Sequence, residues 1–108
     1  MIISIEKNKL ENLLYTISPI ISFDHGEEQA LIEVYEQFSK ILSKLYMKEL
    51  NIFGNLRNHS FKETKEYRRA INRSESAEIK AQYLKLLKDS LQEDIETSIE
   101  YITDYVSQ

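Results

Sequence analysis

A chain of 108 residues, 42% hydrophobic and 30% charged, is long enough to bury one core and too apolar to remain disordered. It has no cysteine, which excludes disulfides, thiolate metal sites and a cysteine nucleophile, and fits a reducing compartment. One proline and two glycines leave too few turns for an all-β fold, and a net charge of −4 disfavours nucleic acid as a general partner.

The opening Met1-Ile2-Ile3-Ser4-Ile5-Glu6 is too short and too soon polar for a signal peptide. The longest apolar stretch, near Ile17 to Phe23, is broken by Ser18, Pro19 and Ser22, far short of the ~20 residues of a membrane span. The sequence therefore predicts a cytoplasmic protein without membrane contact.

The first helix is expected over about Ile5 to Ile17, with Ser4 as its cap and Leu10, Leu13, Leu14 and Ile17 on one face. Ser18-Pro19 should stop it, and the same pair suits the start of a short turn through Ile20, Ile21 and Phe23, with Ser18 as cap and Pro19 in the first helical position. Asp24 and Glu27 are spaced as a capping box around His25 and Gly26. A helix of about 40 Å should follow, from Glu27 to Phe53, ended by Gly54. Its stripe comprises Leu31, Val34, Tyr35, Phe38, Ile41, Leu42, Leu45 and Ile52, and the seven-residue recurrence of Leu31, Phe38, Leu45 and Ile52 suits a bundle or coiled coil.

Asn55 to His59 reads as a polar loop. Ser60-Phe61-Lys62-Glu63 fits a capping box for a third helix to about Asn72, with Phe61, Tyr67 and Ile71 as a thin apolar side. After Ser74-Glu75-Ser76, a last helix is expected from about Ala77 to Val106, with Leu84, Leu87, Leu91, Ile95, Ile102 and Val106 facing inward. The prediction is an all-α fold, an antiparallel bundle of about four helices forming a single domain over 1–108.

Charge is unevenly placed. Residues 1–56 carry −3, residues 57–73 carry +4 and residues 74–108 carry −5. Asp89, Glu93, Glu96, Glu100 and Asp104 recur at helical spacing and form one ridge, with Tyr101 and Tyr105 nearby and no lysine or arginine after Lys88. Carboxylates in that position oppose the helix dipole and repel one another, so the ridge is either a solvated face or a surface for a basic partner. Lys62, Lys65, Arg69 and Arg73 form a basic stripe on the third helix, with Arg57 and Arg68 close by. That stripe is a solvated face, a phosphate contact, or a complement to an acidic ridge within the molecule or across a dimer.

Catalytic patterns are sparse. His25 lies beside Asp24, Glu27 and Glu28, and His59 in Arg57-Asn58-His59-Ser60; neither has the ligand set of a zinc site or a defined acid–base partner. The Arg and His spacing of HEPN ribonucleases is absent, as are phosphate-binding glycine loops and a nucleophile elbow. No catalytic residue, metal or cofactor is expected. In size, acidity and helical content the chain resembles bacterial immunity proteins and other small protein inhibitors. That resemblance is one of type and carries over no residues; the unrelieved acid stripe is what points to a basic toxin or nuclease as partner, with Asp89, Glu93, Glu96, Glu100, Tyr101, Asp104 and Tyr105 as the contact surface and Lys62, Lys65, Arg69 and Arg73 as a secondary patch. Two alternatives are a self-associating adaptor, dimerising through the long second helix, and a helix-turn-helix-like DNA binder using the helix from Lys62 to Arg73.

Overall fold

The computed structural model describes the backbone of residues 2–20, 25–48 and 61–107, and side chains within 5–20, 27–44 and 61–104. Four helices are present among them: α1 (Ile2–Ile17), α2 (His25–Lys48), α3 (Lys62–Arg73) and α4 (Ala77–Ser107). The 31 residues of α4 span about 46 Å at 1.5 Å per residue, which matches the longest dimension of the molecule, 47 Å. No glycine or proline interrupts α4. The other helices pack on it, and α1 also packs on α2, giving the expected all-α bundle.

The core follows from the helical period. On α4, Leu84, Leu87, Leu91, Ile95, Ser98 and Ile102 are at most 1% exposed, and their spacings of three and four keep them on one stripe. Leu10 and Ile17 from α1, Ile20 after it, Leu31, Val34, Phe38, Ile41 and Leu42 from α2, and Phe61 and Ile71 at α3 complete the buried cluster. Burying a leucine or isoleucine stabilises the fold by about 1.5–3 kcal/mol before the entropy of ordering is counted. The side chains of Leu45, Ile52 and Val106, and the stop expected at Gly54, lie outside the described residues.

Three helix starts differ from expectation. α1 begins at Ile2, so Ser4 lies inside the helix and cannot cap it. No proline or glycine before Ser4 forces a later start. At its end, the Ser18 amide and hydroxyl both donate to the Leu14 carbonyl, at 3.0 and 2.7 Å. That hydroxyl is turned back onto α1 and Pro19 sits in the turn, while the short turn expected through Ile21 and Phe23 lies outside the described residues. α2 already includes His25 and Gly26, two residues before the expected start; its expected cap, Asp24, lies outside the described residues.

At α3, which begins at Lys62, the residue flanking the first turn is Phe61, with no side-chain cap bond; the cap expected at Ser60 lies outside the described residues. Phe61 packs edge-on against Phe38 of α2, with ring centroids 5.5 Å apart, which anchors the start of α3 to the core. Ser76 does act as a cap: its hydroxyl accepts from the Ile79 amide at 3.5 Å and its carbonyl from the Lys80 amide at 2.9 Å. Lys80 also bridges to Glu28 at 2.6 Å, tying the first turns of α4 and α2 together.

Replacing Leu91 with alanine should cost about 2–5 kcal/mol in urea unfolding, whereas Lys85→Ala on the exposed side should stay within about 0.5 kcal/mol. Equal costs at the two positions would contradict α4 as the shared core.

Candidate functional site

The burial stripe on α4 fixes what its opposite side carries. Asp89, Glu93, Glu96, Glu100 and Asp104 are all exposed, facing away from Leu91, Ile95 and Ile102. They follow one another about every turn over about 22 Å. Gln92 donates to Glu96 at 3.4 Å, and among the described residues none of the five carboxylates takes part in a salt bridge. Tyr101 is turned about 100° from Glu100 and packs, half-buried, against the core. The side chain of Tyr105 lies outside the described residues.

The basic stripe is equally outward. Lys62, Lys65, Arg69 and Arg73 are exposed, on the side of α3 opposite the buried Thr64 and Ile71. Arg68 is half-buried and donates to Asn72 at 2.7 Å; Arg57 lies outside the described residues. Among the described residues no salt bridge joins this stripe to the ridge, so the two are not paired within one molecule.

At the α3–α4 turn lies an open groove of about 830 Å³, lined by Glu66, Arg69, Arg73 and Glu75 together with Ile79 and Tyr83. Ile79 is 48% exposed and Leu86, two turns along α4, is 43% exposed. Ile79, Tyr83 and Leu86 are spaced by four and three, so they form a short apolar strip beside α3.

The α3–α4 interface also holds a polar cluster that the sequence reading missed. Thr64, only 2% exposed, donates to Asp94 Oδ2 at 2.5 Å and is hydrogen-bonded to the Ser90 hydroxyl. A threonine has one hydrogen to give, so with Asp94 taking it, Ser90 donates to Thr64, and the chain runs Ser90 to Thr64 to Asp94. Asp94 is thereby separated from the ridge, although Glu93 precedes it directly. The signal was present: Phe61, Thr64, Tyr67 and Ile71 share one helical face, and Ser90 and Asp94 are one turn apart. Buried Glu6, on the same face of α1 as Leu10 and Ile17, was missed as well.

His59 and the side chain of His25 lie outside the described residues. Among the described residues, no three histidine or acidic side chains converge as a metal would require, and no helix is long and apolar enough to cross a membrane. No known family, curated protein or solved structure matches the chain.

The polar cluster should act as a clamp. Thr64→Val removes the central hydroxyl and leaves Asp94 and Ser90 without it, which should cost about 1–3 kcal/mol in chemical denaturation. Ser90→Ala, which leaves the Thr64–Asp94 bond in place, should cost less. Wild-type stability in Thr64→Val would remove the clamp from the account.

Proposed function

We propose that the protein acts by binding rather than catalysis, as a small cytoplasmic inhibitor that neutralises a basic toxin or nuclease. The observation that carries this reading is the acidic ridge on α4. Five exposed carboxylates one turn apart imitate the charge spacing of a polyanion and would draw in a cationic surface. Laid over a substrate groove built for phosphates, a rod of this kind blocks it by occlusion.

The ridge also comes at a cost to the fold. It lies toward the C-terminal end of α4, where the helix dipole disfavours negative charge, and no basic side chain follows Lys88 to relieve it. A contact surface for a basic partner accounts for that placement.

The alternatives draw less support. A dimer through the stripe of α2 needs that stripe to be free, yet Leu31 and Phe38 are 0% and 2% exposed inside the monomer. A helix-turn-helix needs its two helices to cross steeply. Here Thr64, in the first turn of α3, reaches Ser90 and Asp94 in the middle of α4, so α3 and α4 lie side by side as a hairpin.

Capture from native host lysate on the immobilised full chain, with washes of rising salt, tests the reading. The wild type should retain a stoichiometric basic protein released only at high salt. The triple variant Glu93→Lys, Glu96→Lys, Glu100→Lys should bind it about 100-fold more weakly or worse with unchanged helicity. Equal retention by the variant would remove the ridge as the interface.

A further inference from the structure

We infer that the contact surface of α4 runs past the acidic ridge to an apolar head at Ile79 and Leu86, and that the partner meets it with one helix, apolar at one end and rich in lysine or arginine along the rest. The exposed residues Ile79, Gln82 and Leu86 continue the ridge backwards from Asp89 in the same steps of three and four. Seven such steps separate Ile79 from Asp104, a mean of about 3.6 residues, so the stripe stays on one side of α4 for about 37 Å. It changes character along its length, from apolar at the start of α4 to acidic at the end. Two of the four large hydrophobic side chains exposed among the described residues, Ile79 and Leu86, stand in it.

The head is also recessed. Ile79 lines the groove at the α3–α4 turn together with Tyr83, one turn further along α4. The charges around that groove, Arg69 and Arg73 against Glu66 and Glu75, are equal in number and opposite in sign. This end therefore draws neither cations nor anions strongly, and what it offers a partner is apolar contact.

The order along the stripe selects the occupant. A wholly cationic segment would desolvate charge on Leu86 and Ile79, and a wholly apolar one would cover the carboxylates without pairing them. The period selects its backbone. A helix lying along α4 repeats its own face about every 5.4 Å, in step with the stripe. An extended strand repeats each face about every 6.8 Å and slips by about one turn in four. The two ends of the stripe then divide the work: the carboxylates draw the helix in and are screened by salt, whereas apolar side chains seated on Leu86 and in the groove slow its release. The inference rests on the ridge being a contact surface, as under the proposed function, and adds which element of the partner occupies it.

Three synthetic peptides of about 26 residues, built on alanine and glutamine for helicity, serve as probes. The first carries two leucines followed by five lysines on one face. The second has the same composition and face with the leucines placed among the lysines. The third keeps the first order but has two prolines in its middle, which break the helix. Each is dye-labelled and titrated with the full chain to about 1 mM at low salt, read by fluorescence anisotropy. The first should bind about 10-fold more tightly than either of the others. Leu86→Ser, which changes no charge and no buried residue, should bring the first peptide down to the level of the second. The ridge reversal (Glu93→Lys, Glu96→Lys, Glu100→Lys) should abolish binding of all three. Ridge-dependent binding that is equal for the first two peptides, or unmoved by Leu86→Ser, would overturn the apolar head and leave the ridge standing. Equal binding of the third would overturn the helical occupant. No binding of any peptide, or binding indifferent to the ridge reversal, would overturn the inference together with the ridge reading on which it rests.

Discussion

The column Leu84, Leu87, Leu91, Ile95, Ser98 and Ile102 on α4 is the surface against which α1, α2 and α3 are all assembled. Because it is continuous, α4 must run without a break for the length of the molecule, and every turn that faces inward implies a turn that faces solvent. The acidic ridge occupies those outward turns. α3 depends on the same helix: it is held by Phe61 against Phe38, by Ile71 in the core and by the Thr64 clamp onto Ser90 and Asp94. The positions of both charged strips thus descend from one apolar column.

The long elements were legible because their period is strong. Leu31, Val34, Phe38, Ile41 and Leu42 alone identify α2, and the alternation of three and four from Leu84 to Ile102 identifies α4. Helix ends were less legible, since serine caps, turns and back-bonds compete locally for the same hydroxyl. Ser76 caps α4, Ser18 bonds back to Leu14, and Ser4 lies within α1. At α3 a local rule could mark Phe61 as apolar but could not foresee that the ring of Phe38 on α2 would pack against it. The ridge could be read from spacing alone, whereas the separation of Asp94 from Glu93 needed Thr64 on the neighbouring helix.

Charge of both signs stands outward on neighbouring helices, without a salt bridge between them among the described residues. A fold under selection for stability alone gains by pairing such strips or interspersing their signs. Here the carboxylates stay together at the helix end that disfavours them. Within the proposed account, that arrangement serves contact: the ridge meets a cationic target.

The central claim, that the ridge is occupied by a basic partner, is tested most directly by labelling carboxylates with a carbodiimide in native host lysate and reading each site by mass spectrometry. The account predicts that Asp89, Glu93, Glu96, Glu100 and Asp104 are protected in lysate relative to the purified dilute protein, while exposed Glu33 and Glu36 of α2 are not, and that high salt removes the difference. Labelling of the ridge at the same rate in lysate and in isolation would contradict it, and the ridge would then be a solvated face.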